Sequence, residues 1–170
     1  FIFLEIALMQ KLTLLLGQPL YSIVVTLFSI LIFTGIGSFL SGPLLKGGIM
    51  VSRMIPVGIA IVTVAIVMFS DQIVASVIAE DLTTRALVAG AMTAPLALLL
   101  GMPFAHGVSL LRKLSPSFVP WAWAVNGSAS VVGSVVTVIV SMNFGFSAVL
   151  IAAIFIYAIA FLAVDKLSRE

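Results

Sequence analysis

The chain has 170 residues, 62% of them hydrophobic and only 8% charged, with a formal net charge of +2 and a mean hydropathy of +1.35. Soluble domains carry about 25% charged residues, so this composition describes a polytopic membrane protein. The small charge concerns orientation in a bilayer and carries no nucleic-acid signal. There is no cysteine, which excludes disulfides, thiolate metal sites and cysteine nucleophiles. His106 is the single imidazole, which excludes a multi-histidine zinc site or a haem held by two histidines of this chain. No cofactor is expected.

Phe1 to Leu16 reads as an apolar helix interrupted by Glu5, Gln10 and Lys11 and stopped by Gly17 and Pro19. It is short for a full crossing and is expected to begin upstream of Phe1. The chain is accordingly read as one transmembrane domain, 1–170, cut from a longer protein. Pro19 to Ser41 is the second span, with Pro at a helix start and the small residues Thr34, Gly35, Gly37 and Ser38 at its far end. A loop, 42–55, carries Lys46 and Arg53, and a third span runs from Met54 to about Glu80. Its last turns, with Asp71, are expected to emerge into the headgroups.

Asp81 or Thr83 can cap the fourth span, 83–100, and Pro95 is expected to kink it. The segment 101–120 reads as a long loop with a Gly-x-Pro-Phe turn at 101–104, followed by a short interfacial helix near 108–114. In that helix Leu110, Leu111 and Leu114 oppose Arg112 and Lys113. Pro120 to Ser141 is the fifth span, opened by Trp121 and Trp123 as an interfacial belt. Asn126, Ser130 and Ser134 recur at i, i+4 and i+8, with Gly127 and Gly133 beside them. A face of this kind admits close helix approach, so this span is expected inside the bundle as its organising member. A turn at 143–146 leads to a sixth span, 147–164, and the polar end DKLSRE is expected at the membrane surface.

The fold class that follows is all-α: a polytopic transmembrane bundle of about six spans, the first incomplete, plus the short interfacial helix. Alternating spans place Lys46, Arg53, Arg112, Lys113, Lys166 and Arg169 on one side, and Lys11 and Arg85 on the other. By the positive-inside rule the richer side, with the C-terminus, faces the cytoplasm of a bacterial-type inner membrane.

Glu5 is the deepest ionisable group. An intramembrane carboxylate is a candidate proton or cation site, and the competing reading pairs it with a basic loop near the interface. Lys11 can snorkel toward its nearer end. Asn126 either bonds across helices or lines a solute path, and His106 reads as a surface residue or a ligand for a partner's group. The glycines match no phosphate-binding pattern. No catalytic constellation stands out, and enzyme chemistry within these residues is not expected.

Several segments together resemble a known family: Phe1–Glu5 with Gln10, Leu16-Gly17-Gln18-Pro19 with Tyr21-Ser22, Gly35-Ile36-Gly37-Ser38, Gly101-Met102-Pro103-Phe104, and the Trp121 to Ser134 block followed by Phe144-Gly145-Phe146. In this order they resemble the membrane part of multi-spanning spermidine-synthase-like proteins. The resemblance implies a soluble aminopropyltransferase-like Rossmann domain outside these residues, and no transferase site within them. It implies a non-catalytic membrane domain that anchors or scaffolds, and whose partners are the lipid bilayer and either its own soluble domain or other membrane chains. Two other readings stand beside it: an accessory subunit of a respiratory or photosynthetic complex, and a transporter of a small, cationic, polyamine-like solute.

Overall fold

The computed structural model describes residues 1–44 and 49–167, with the side chains of 1–42, 54–113, 115–160 and 162. Among the described residues seven α-helices follow one another: α1 (Ile2–Leu16), α2 (Pro19–Leu44), α3 (Ile49–Val77), α4 (Leu82–Leu100), α5 (Met102–Leu114), α6 (Val119–Phe144) and α7 (Phe146–Leu167). A 3₁₀ turn at Pro116–Phe118 joins α5 to α6. No strand occurs among the described residues. This is an all-α bundle, and its composition explains why: a backbone in hydrocarbon must satisfy every N–H and C=O within itself.

Four stretches are long and apolar enough to cross a membrane: Pro19–Gly42, Met54–Val77, Leu82–Lys113 and Pro116–Phe144. A shorter apolar stretch, Phe146–Ala160, belongs to α7. The remaining helix, α1, has 15 residues. It ends at Gly17, whose φ of 76° is the left-handed conformation that closes a helix, and its N–H bonds back to the Thr13 carbonyl.

The centre of the bundle is α1, and this corrects the expectation that the Trp-led span organises the chain. Leu4, Ala7 and Leu8 form one cluster with Ile59 of α3, Leu96 of α4 and Val149, Leu150 and Ala153 of α7. One turn and more further on, Leu12, Leu15 and Leu16 form a second cluster with Ala89 of α4. Leu4, Leu8, Leu12, Leu15 and Leu16, spaced by three and four residues, are all buried, and Leu14 is the strongly exposed leucine of α1, whereas α6 buries a single narrow face. Val131, Val132, Val135, Val138 and Ile139 of α6 are all exposed, as suits contact with lipid.

The tightest crossing is α2 on α4. Ser29 and Gly37 of α2 lie against Gly90 and Leu98 of α4, each pair eight residues apart, so the two helices run parallel in register. A Cβ on Gly37 would overlap the Leu98 carbonyl, and one on Gly101 would overlap the Thr34 carbonyl. Only glycine lets these backbones approach so far.

Two other expectations change. The 101–120 segment is helical from Met102 to Leu114, with Pro103 in the first turn, where its missing N–H costs nothing. In place of the 101–104 turn there is a one-residue break between two helices at Gly101, itself in the right-handed helical conformation. The 42–55 loop is shorter than expected, since α2 runs to Leu44 and α3 starts at Ile49. Residues 45–48 of that loop, and 168–170 of the polar tail, lie outside the described residues. Pro95 lies within α4 without ending it, and Pro56 does the same in α3.

Candidate functional site

Two groups of polar side chains lie within the bundle, and they do different work. The first surrounds the C-terminal half of α1. Lys11 Nζ pairs with Asp71 of α3 at 3.3 Å, with Lys11 only 11% exposed and Asp71 85% exposed. Arg85 of α4 donates from one guanidinium nitrogen to the Leu15 carbonyl at 3.3 Å. That carbonyl belongs to the last turn of α1, where carbonyls lack an intrahelical partner and a cation is favoured. The Ser22 hydroxyl of α2 donates to the Met9 carbonyl. Each of these contacts ties a different helix to α1.

Asp81 caps α4 in the same region. Its carboxylate accepts from the backbone N–H of Thr83 at 2.9 Å and of Thr84 at 3.3 Å, and from the Thr84 hydroxyl at 2.6 Å. The Thr84 hydroxyl bond, first, and the backbone bonds hold this carboxyl below its ordinary value.

The second group lines an open cleft of about 740 Å³ at the end of the bundle where α2 finishes and α6 starts. Thr34, Gly35 and Ser38 of α2 form one wall, Phe104, Ala105 and Val108 of α5 another, and Trp123, Asn126 and Ser130 of α6 a third. Phe1, Gly101 and Tyr157 of α7 complete it. Phe104 and Trp123 meet edge to face, with ring centroids 4.8 Å apart and an interplanar angle of 82°. Segments far apart in sequence, Gly35 to Ser38, Gly101 to Phe104 and Trp123 to Ser130, thus contribute to one concavity.

The residues singled out on α6 divide between two environments. Asn126 and Ser130 line the cleft, and the Ser130 hydroxyl donates to the Asn126 carbonyl at 2.9 Å. Gly127 is exposed, with nothing within 4 Å of the place a Cβ would take. Gly133 is buried against α1, and a Cβ there would stand 2.5 Å from Ile2 Cγ2. Ser134 is half-buried, its hydroxyl turned back to the Val131 carbonyl at 2.8 Å. The face that meets its neighbours is therefore Ser130, Gly133, Thr137 and Ser141, rotated from the Asn126–Ser130–Ser134 stripe.

Thr137 and Ser141 are the residues that sequence reasoning left out. Stepping by four from Gly133 finds both. The Thr137 hydroxyl donates to the Gly133 carbonyl at 2.7 Å, and the Ser141 hydroxyl to that of Val138 at 2.9 Å. Such internal bonds hide the hydroxyl from an apolar surrounding.

Glu5 is half-buried in the first turn of α1 and makes no salt bridge among the described residues. It is not among the residues lining the cleft. His106 lies half-buried on α5, in a helix where a loop was expected. No group of three or more His, Asp or Glu able to hold a metal occurs among the described residues. Comparison with protein-family models, with curated proteins and with solved structures finds no match to this chain.

Proposed function

We propose that this chain is a non-catalytic integral membrane domain that anchors or scaffolds, and that it belongs with the membrane part of spermidine-synthase-like proteins. The observation that carries the scaffold reading is the use made of polar groups inside the bundle. Lys11, Arg85 and Ser22 each hold another helix to α1 through one donor atom, while the buried Arg85 Nε has no partner among the described residues. A solute path needs such groups to face a passage. The family link rests on the motifs quoted above, and three of them, Gly35–Ser38, Gly101–Phe104 and the Trp121–Ser134 block, contribute to one cleft. The orientation proposed is the one the basic residues favour, with the α4–α5–α6 connection and the C-terminus in the cytoplasm of an inner membrane.

Transport is the sharpest test of this reading against its rival. Purified protein reconstituted into liposomes is expected to take up labelled spermidine or putrescine no faster than protein-free liposomes, with or without a proton gradient. Saturable uptake above that background, abolished by Glu5→Gln, would replace the scaffold with a transporter.

A further inference from the structure

We propose that the cleft between α2, α5 and α6 binds an uncharged amphiphile whose head group presents carbonyl oxygens, as a quinone ring or a diacylglycerol head does, with its tail running out into lipid. This goes beyond the scaffold reading and stands on other residues. The volume, about 740 Å³, falls within the range of small-molecule sites, about 300–1,000 Å³. Most of the lining is apolar or aromatic, and among the described residues its polar members are Thr34, Ser38, Asn126, Ser130 and Tyr157, none of them charged. A charged head would leave water for a place where no described side chain offers a counter-charge, a large cost in an apolar surrounding.

The hydrogen-bond inventory narrows the head group. Thr34 donates its hydroxyl to the Ile30 carbonyl at 2.6 Å, and Ser130 donates to the Asn126 carbonyl at 2.9 Å. Both therefore turn only lone pairs toward the cleft. The donors left over are the Tyr157 and Ser38 O–H, the Asn126 amide N–H and the Trp123 indole N–H, none of which has a hydrogen-bond partner among the described residues. Tyr157 packs its ring against the central cluster, so its hydroxyl is held in place. Donors without partners among apolar walls call for acceptor oxygens on the guest. Trp123, fixed edge to face against Phe104, supplies a ring on which a flat head can lie.

The same residues provide the assay. Trp121 is exposed and is the only other tryptophan, so Trp121→Phe leaves Trp123 as reporter in protein held in lipid nanodiscs. Decylubiquinone should quench Trp123 saturably. Dioctanoylglycerol should compete, and whichever of the two binds at lower concentration identifies the head-group source. Gly35→Leu should weaken binding at least tenfold by filling the cleft; nothing lies within 4 Å of a Cβ at Gly35, so the melting temperature should hold. Tyr157→Phe should weaken it about fivefold, the effect of one neutral hydrogen bond. Quenching that rises linearly without saturating, equal affinity in Gly35→Leu, or tighter binding of dodecyltrimethylammonium or dodecyl sulfate would each overturn the proposal.

Discussion

Single residues show how this bundle treats polarity. Lys11 is almost enclosed while its partner Asp71 is open to solvent, so the two ends of the pair are not equivalent. Asp71→Asn leaves a buried ammonium with no counter-charge, whereas Lys11→Met removes the charge and keeps the packing stem. We expect Asp71→Asn to lower stability by about 1–2 kcal/mol, below the cost for a fully buried pair because Asp71 is screened. Lys11→Met should cost less, and the double change should be no worse than Asp71→Asn alone. Unfolding in a detergent series reads all three, and an additive double variant would show that the ion pair does not couple the two sites. Gly133 supplies the companion test. Gly133→Leu must push Ile2 and Phe3 aside and should cost about 1–3 kcal/mol, while Gly127→Leu, facing open space, should melt like the wild type. Equal melting of the two would remove the α1–α6 contact.

At the scale of helices, sequence and structure agree on existence more than on position. Long apolar runs bounded by Gly and Pro give α2, α3, α4, α6 and α7 directly, because hydrocarbon leaves the backbone little alternative. The small residues at Thr34 to Ser38 also foretell a close approach, and α4 fills it. Which helix lies at the centre was less legible. A membrane helix is apolar on its lipid face and its protein face alike, so the contrast that marks burial in a soluble protein is missing. The signal that did exist was the leucine spacing of α1, which competed with its Glu5, Gln10 and Lys11. The α2–α4 crossing predicts that Gly37→Ala and Gly101→Ala, each adding one methyl group, weaken the bundle more than Gly42→Ala, where nothing lies within 4 Å. The Asp81 cap gives a pH test. Its carboxyl titrates lower in the fold than free, so its contribution is present above the ordinary carboxylate range and is lost as pH falls through the depressed value. The difference in melting temperature between Asp81→Ala and wild type should thus be largest near neutrality and should close in acid. A gap independent of pH would mean that the ionised carboxylate is not what caps α4.

For the molecule as a whole, the candidate site was legible only in pieces. Trp123, Asn126 and Ser130 stood out in the sequence, and so did the Gly-x-Pro-Phe segment and the Thr34–Ser38 cluster, yet nothing in their spacing says that they share one concavity. Tyr157 had no polar neighbours to draw notice. Phe104 reaches the cleft because α5 packs against α2, and Tyr157 because α7 supplies part of the lining. Orientation belongs to this scale too: a cysteine placed at Ser115, between α5 and α6, should react only from the cytoplasmic side of intact cells, and labelling from outside would reverse the assignment. The central claim, that α1 is the core of the bundle and α6 its rim, is tested most directly by oxygen accessibility of spin labels placed one at a time along 128–140 of α6 in lipid nanodiscs. The account predicts a helical oscillation, high at 131, 132, 135, 138 and 139 and falling to one narrow minimum at 133 and 137. Low accessibility all around the helix would place α6 inside the bundle and contradict it.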